Sequence, residues 1–143
     1  MPLTADRDIA RILQTTRRIA LVGASHKPER PSHRVMQFLL AEGYQVFPVN
    51  PGLAGQQLLG CQVYPDLAAV PDAIDMVDVF RQSHYLQALV DEAVAVGART
   101  IWTQLGVVDT DAAARAEQAG LEVVMDRCPA IELPRIRAAG LLP

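Results

Sequence analysis

The chain has 143 residues, half of them hydrophobic, and a formal net charge of −3. This size and composition predict one domain, residues 1–143, with a packed core, and exclude a disordered or fibrous chain. The acidic balance lacks the basic field that a non-specific nucleic-acid binder uses. Two cysteines are too few for a disulfide framework, and no apolar run approaches the roughly 20 residues that cross a bilayer. We therefore expect a cytoplasmic protein without membrane or nucleic-acid contact.

The first predicted elements are a helix and a buried strand. Apolar side chains at helical spacing predict a helix that runs to about Thr15 and packs on the edge of a sheet, with Thr4 or Asp6 as its cap. Residues 19–22 then form the continuous apolar run that is typical of a buried parallel strand. Gly23 ends this strand.

A glycine-hinged loop rich in cations, residues 23–34, connects this strand to the second helix. Unpaired backbone N–H groups at a helix N-terminus, with the positive end of the helix dipole behind them, make a natural seat for phosphate. We place the cap of the helix at Ser32, with Pro31 just outside. The segment therefore predicts a nucleotide-type ligand. The side chains of the loop that suit anions are Lys27, Arg30, His33 and Arg34.

Strand and helix patterns alternate along the rest of the chain. Pro48 cannot donate to a strand ladder, which disfavours a central place for the second strand. Trp102 is expected in the core, and the tail over residues 135–143 is expected to be peripheral. The predicted strands are residues 44–49, 75–80, 100–105 and 122–125; the predicted helices are residues 83–97 and 109–119, with a last helical turn near 128–133.

This alternation predicts βαβ units and a three-layer Rossmann-like α/β fold: a five-stranded, mainly parallel sheet with helices on both faces. We predict the strand order 3-2-1-4-5, with the ligand at the carboxyl ends of strands one and four, where the order reverses. The segments that directly follow a strand then share one edge of the sheet. These are residues 23–34, Asn50 and Pro51, Phe80 and Arg81, residues 104–106, and residues 127–128.

The predicted phosphate site departs from two common nucleotide-binding patterns. A dinucleotide fingerprint needs G-x-G-x-x-G after strand one and an acidic residue after strand two. This chain has the single glycine Gly23 and carries Asn50 in the acidic position, which disfavours ordinary NAD binding. The P-loop pattern is also absent. A ligand that carries an additional phosphate would account for the many cationic side chains.

Six segments resemble the coenzyme A-binding domain family, specifically its short stand-alone bacterial members, and more remotely the nucleotide-binding domain of the succinyl-CoA synthetase α subunit. They cover nearly the whole chain in the same order. The resemblance implies coenzyme A or an acyl-CoA as the ligand. The segments are ALVGAS (20–25), ERPSHRVM (29–36), VFPVNP (46–51), DMVDVFR (75–81), WTQLGV (102–107) and VVMDRCP (123–129).

The resemblance also implies which part of the ligand each strand end contacts. Residues Gly23, Ala24 and Ser25 would pass close to the phosphates, with Arg30, Ser32, His33 and Arg34 closing around them; Asn50 and Pro51 would border the ribose, Phe80 and Arg81 would flank the adenine or diphosphate, and Gln104, Leu105 and Gly106 would lie toward the pantetheine.

No catalytic or metal-binding constellation is evident in the sequence. Cys128 follows strand five, where the pKa of a thiol can be lowered, but no His-Asp or His-Asn arrangement accompanies it, so we expect a packed or redox-sensitive thiol. His84 is expected to be structural. We predict a non-catalytic coenzyme A-binding protein, with a protein partner or homo-oligomer left open.

Two alternative functions remain open at this stage. One is a partner-dependent subunit of an acyl-CoA ligase or transferase, because the synthetase relatives use further domains, including one with a phosphorylated histidine. The other is a redox regulator that binds a nicotinamide nucleotide, for which the sequence shows no helix-turn-helix before Arg17 or after Pro134.

Overall fold

The computed structural model describes residues 1–142. Within these residues the chain alternates between helices and parallel strands, and a short antiparallel hairpin interrupts the alternation. The elements are α1 (Asp6–Thr15), β1 (Arg18–Val22), α2 (Pro31–Ala41), β2 (Gln45–Val49), β3 (Gln57–Leu58), β4 (Cys61–Gln62), β5 (Met76–Val79), α3 (Leu86–Ala95), β6 (Thr100–Thr103), α4 (Thr110–Gln118), β7 (Glu122–Val124) and α5 (Pro129–Ala138).

The sheet lies between two helical layers, and each layer encloses its own apolar core. On one face, α1, α2 and α5 bury side chains such as Ile12, Leu39 and Ile136 against the strands. On the other face, α3 and α4 bury side chains such as Val90 and Ala116. Every residue of β5 and β6 is buried, as expected for parallel strands covered on both faces. The predicted Rossmann-like α/β class is confirmed.

The order of the strands follows the predicted 3-2-1-4-5 pattern, but a different segment of the chain takes the third place. The observed order is β2-β1-β5-β6-β7, with all neighbours parallel. Tyr64 forms an isolated parallel bridge to Val49 on the outer side of β2 and takes the third place along the chain. β5, the segment that we predicted as the third strand, comes fourth and pairs with β1 and not with β2. The topological switch point therefore lies between β1 and β5, and ligands of such sheets bind in the crevice at that point.

Pro48 is compatible with the place of β2 near the edge of the sheet. Its carbonyl oxygen accepts a hydrogen bond from the N–H of Tyr64 (2.9 Å), on the side of β2 that faces away from β1. The ring nitrogen of Pro48 faces the same side, where the described part of the chain pairs with β2 only through the bridge between Tyr64 and Val49. The residue is thus compatible with an edge strand, whereas a central β2 would leave a gap in the hydrogen-bond ladder.

Several helix ends differ from the predicted ones. α1 begins after Ala5 without a side-chain cap, and α2 begins at Pro31, so that Ser32 lies inside the first turn and does not cap it. Proline suits the first helical position because its backbone angle is already helical and its missing N–H has no partner there. None of the helices over residues 1–142 is both long and apolar enough to span a membrane.

We expected the C-terminal tail to be peripheral, and this prediction is wrong. Residues 135–138 of this tail form the end of α5, in which Leu133 and Ile136 are buried against the sheet and the neighbouring helices. Pro134 lies inside this helix and removes one N–H from the helical ladder, which masks the helical pattern in the sequence. The last residue of the predicted tail, Pro143, lies outside the described residues. Trp102 is fully buried, as predicted.

Candidate ligand-binding site

A cavity of about 390 Å³, here called the first cavity, opens at the carboxyl ends of β1, β2 and β5. It lies at the switch point of the sheet, where the loop after β1 passes the ends of its two neighbours. All but one of its lining residues, Pro31, are among the site residues that the sequence predicts. The lining residues are Gly23, Ala24, Ser25, Lys27, Arg30, Pro31, Ser32, Asn50, Phe80 and Arg81.

Gly23 lets the loop after β1 pass between the neighbouring strands. Its N–H donates to the carbonyl oxygen of Val49 at 3.0 Å, and its φ of +93° lies in the region that favours glycine. A Cβ atom at this position would lie 2.6 Å from the carbonyl oxygen of Phe80. Both the backbone angle and the close approach therefore require glycine here.

We expect Gly23→Ala to lower the free energy of unfolding by about 2–4 kcal/mol, because left-handed strain and a backbone clash add together. Gly43→Ala is the matched control: its φ is +94°, but no atom lies within 4 Å of an added Cβ. Its loss is expected to be only about 1–2 kcal/mol. Urea denaturation measures the free energy of unfolding of both variants. Equal losses of this free energy in the two variants would contradict a role for the close approach between Gly23 and Phe80.

Asn50 and His33 hold the backbone of the loop from inside the protein. The Nδ2 of Asn50 donates to the carbonyl oxygen of Ala24 at 2.7 Å, and its Oδ1 accepts from the N–H of Gly52 at 2.8 Å. The buried His33 ring donates from Nδ1 to the carbonyl oxygen of Ser25 at 2.9 Å. Both side chains therefore shape the loop.

These two bonds also orient backbone donors. In a trans peptide the C=O and the next N–H point in opposite directions, so the N–H groups of Ser25 and His26 point away from Asn50 and His33. Within residues 1–142 neither N–H has a hydrogen-bond partner. Successive free N–H groups of this kind attract anions.

Lys27, Arg30 and Arg81 bring positive charge to the first cavity. Among the described residues, none of their side chains forms an ion pair or a hydrogen bond. Several arginines elsewhere form ion pairs; Arg115, for example, pairs with Asp91 at 2.8 Å. The chain as a whole is acidic, so this positive charge is a local property of the cavity.

Six of the predicted site residues do not line the first cavity. His33 lies buried behind the loop, and Arg34 donates from Nη1 to the carbonyl oxygen of Glu29 at 2.6 Å. Pro51 lines a different cavity. The other three, residues 104–106, follow β6, which β5 separates from β1. Their distance from the first cavity thus follows from the observed strand order, and their ligand contacts stay predictions.

The residues after β6 have different environments from one another. Gln104 is buried, and Leu105 is 61% exposed and lines a separate cavity of about 350 Å³ together with Cys128. The N–H of Gly106 donates to Oδ1 of Asp126 at 2.7 Å. This part of the edge is therefore a surface of its own, next to the start of α5.

A second cavity of about 410 Å³ lies on the other side of Arg81. Among the described residues, Arg81 is the only one that lines both of these cavities. Sequence reasoning did not find the second cavity, because apolar residues that follow strands look the same whether they line a pocket or fill a core. Its walls are Val22, Val49, Pro51, Pro65, Leu67 and Leu89, with the carboxylates of Asp66 and Glu92 at the edge.

A buried carboxyl group lies in the middle of the sheet, also missed in the sequence. Asp78 of β5 has no exposed surface and stands in register between Leu21 and Trp102. Burial raises the pKa of Asp78 to about 7, against the opposing effect of Gln104, whose Nε2 donates to Oδ1 at 2.9 Å. Its Oδ2 has no partner within residues 1–142. The feature of the sequence that could have indicated this group is an acidic residue, Asp78, inside an otherwise apolar strand.

The thiol of Cys128 is not activated. Burial raises the pKa of Cys128, and the backbone N–H groups of Ala130 and Ile131 only partly oppose this effect. The ring of His84 packs on Tyr85 with centroids 4.2 Å apart, which agrees with a structural role. Across residues 1–142, no three acidic, cysteine or histidine side chains gather as metal ligands would.

A parallel α/β sheet with a cation-lined cavity at its switch point is the arrangement of Rossmann-like proteins that bind phosphorylated ligands. The family model of the CoA binding domain matches residues 17–134, and the chain belongs to this family. The uncharacterized protein YneT of Bacillus subtilis (strain 168) is 36% identical over 121 residues, which cover 85% of this chain and 88% of YneT.

Solved structures have the same fold. A hypothetical protein from Pyrococcus horikoshii OT3 is 39% identical and superposes with a TM-score of 0.90 over 96% of both chains. The dinucleotide-forming acetyl-coenzyme A synthetase 1 of Ca. Korarchaeum cryptofilum, in complex with phosphate and ADP, is 24% identical with a TM-score of 0.67, over 82% of this chain and 27% of that one. The second likeness shows a shared fold.

Proposed function

We propose that this chain binds coenzyme A or an acyl-CoA through its phosphates in the first cavity, and that it catalyses no reaction of its own. One observation carries the proposal: Lys27, Arg30 and Arg81 meet at the switch point, and no carboxylate of residues 1–142 forms an ion pair with them. Charge-assisted bonds to phosphate are among the strongest that side chains make. Membership of the CoA-binding domain family supports coenzyme A binding in general.

The geometry at Asn50 favours coenzyme A over NAD. An NAD site of this fold uses a carboxylate at the end of the second strand to accept hydrogen bonds from the ribose. Here the position holds a neutral amide, and both of its polar atoms bond to the backbone of neighbouring loops. Coenzyme A instead carries a 3′-phosphate beside its diphosphate, which suits a site rich in cations.

In this proposal the two cavities hold different parts of the ligand. The diphosphate occupies the first cavity, and the adenine base occupies the second, whose walls are mostly apolar. The carboxylates of Asp66 and Glu92 at the edge of the second cavity repel phosphate and are suitable acceptors for an amino group of the base. Arg81, between the two cavities, then lies beside the diphosphate.

The lack of a catalytic role rests on the side chains that line the first cavity. Among the described residues that line this cavity, only Ser25 and Ser32 carry a hydroxyl group. The Oγ of Ser25 accepts a hydrogen bond from the N–H of Lys27 at 3.1 Å, and no described side chain that could act as a base forms a hydrogen bond with it. His33 uses Nδ1 to hold the loop, and Asp78 is buried in the sheet. A nucleophile with an adjacent base, as covalent catalysis requires, is not assembled at this cavity within residues 1–142.

Isothermal titration with coenzyme A, acetyl-CoA, dephospho-CoA, NAD, NADP and ATP tests the proposal. We expect binding of coenzyme A or acetyl-CoA, and weaker binding of dephospho-CoA because it lacks the 3′-phosphate. Heat from NAD together with none from either coenzyme A species would contradict the proposal. A comparison of coenzyme A with acetyl-CoA also shows whether the site distinguishes a free thiol from an acylated one.

A further inference from the structure

Both ends of the Arg81 side chain are held by contacts within the protein. Its stem packs on the bare Cα of Gly23, where an added Cβ would lie 3.2 Å from the Cδ of Arg81. Its guanidinium carbon lies 3.9 Å from the centre of the Tyr85 ring. This distance is well within the range of a cation–π interaction. The side chain is therefore fixed between the two cavities.

The kind of contact that Tyr85 makes is important for an anion site. A carboxylate partner would neutralise Arg81 and occupy its N–H groups, whereas the face of a ring leaves the planar fork of donors free. Within residues 1–142 the guanidinium forms no ion pair and no hydrogen bond. Tyr85 thus orients the cation without reducing its charge.

Tyr85 belongs to a short turn that leads into α3. Residues Ser83–Tyr85 form a single 3-10 turn, and the ring of Tyr85 is 41% exposed, with the ring of His84 packed beside it. Tyr85 does not line either cavity that Arg81 borders. Its exposed position contributes little to the apolar core, so packing alone does not explain an aromatic residue here.

We propose that Tyr85 is a positioning residue, which holds the guanidinium of Arg81 at the border of the two cavities so that its N–H groups meet a phosphate of the ligand. The proposal rests on the proposed function in that the ligand carries phosphate. Tyr85 acts only through Arg81 and does not contact the ligand. It is therefore a determinant of affinity outside the lining of the site.

The test compares Tyr85→Phe with Tyr85→Leu, in the wild-type background and in Arg81→Gln. Phenylalanine keeps the ring face, and leucine removes it. Isothermal titration with coenzyme A, and separately with inorganic pyrophosphate, is expected to show wild-type affinity for Tyr85→Phe and affinity reduced roughly two- to fivefold for Tyr85→Leu. In the Arg81→Gln background, Tyr85→Leu is expected to cause no further loss.

The outcomes separate this proposal from the proposed function. Binding of coenzyme A with equal affinity in wild type and Tyr85→Leu overturns the role of Tyr85 and leaves the proposed function standing. A loss of affinity in Tyr85→Leu that persists in the Arg81→Gln background also overturns the role of Tyr85. Binding of pyrophosphate in the expected pattern, with no binding of coenzyme A, supports the role of Tyr85 and contradicts the proposed function. Absence of binding to both probes overturns both.

Discussion

The double substitution of Arg30 and Arg81 by alanine is expected to weaken coenzyme A binding by about 3–6 kcal/mol, or roughly 10²- to 10⁴-fold in Kd. Each guanidinium is expected to make a charge-assisted bond to phosphate that contributes about 1.5–3 kcal/mol. Both side chains line the first cavity without a carboxylate partner among the described residues, so no internal ion pair is broken by the change. Isothermal titration measures the loss.

The matched control is the double variant Arg7→Ala/Arg18→Ala, which removes two positive charges from residues that line neither cavity and form no ion pair among the described residues. Its affinity for coenzyme A is expected to stay close to that of wild type. A similar loss in both double variants would show that net charge, and not the cavity, determines binding. Arg34→Ala is expected to have an intermediate effect, because Arg34 supports the loop through the carbonyl oxygen of Glu29.

Asp78 is expected to make the protein less stable as the pH rises from about 4 to about 7. Its pKa is raised to about 7 in the folded protein by burial, from an ordinary value of 3.8. Between these two values the unfolded chain has released the proton that the folded chain still holds. The free energy of unfolding therefore falls by about 4 kcal/mol over this range, and this contribution is fully present only below the unfolded pKa.

Asp78→Asn tests this expectation because the amide keeps Oδ1 as an acceptor for Gln104 and does not ionise. Urea denaturation between pH 5 and 8 is expected to show a flatter profile for the variant, which should be more stable than wild type by about 4 kcal/mol at pH 8. Parallel profiles of wild type and variant would show that Asp78 does not titrate in this range.

Asp75→Asn provides a control of opposite sign. Burial tends to raise the pKa of Asp75, but hydrogen bonds from the backbone N–H groups of Arg18 and Arg17 and from Arg99 outweigh it and lower the pKa. Its carboxylate therefore stabilises the fold above the unfolded pKa, and this contribution is lost as the pH falls through the lower folded value. The variant is expected to be less stable than wild type at pH 7.

Local patterns in the sequence were sufficient for the class of fold and for one wall of the site. Apolar runs alternating with helical periodicity indicated a parallel sheet covered on both faces, because buried strands need apolar side chains on both sides. Gly23 and the cations that follow it indicated an anion site at the first strand end. Pro48 also carried a correct signal against a central place for the second strand.

Other features depend on which segments meet in three dimensions. The place of β5 beside β1 brings Arg81 to the first cavity and moves residues 104–106 away from it. The tail was misjudged because Pro134 interrupts the hydrogen bonds of a helix that packing nevertheless stabilises.

The sequence by itself determined the Rossmann-like class and the cationic loop after Gly23, because each depends on neighbours along the chain. Only the tertiary structure decided that Tyr85 stacks on Arg81, that Gln104 bonds to Asp78, and that two cavities meet at Arg81. These pairings depend on strand order and on the exact direction of each side chain. A local periodicity does not contain that information, because long-range packing selects among arrangements that share the same pattern.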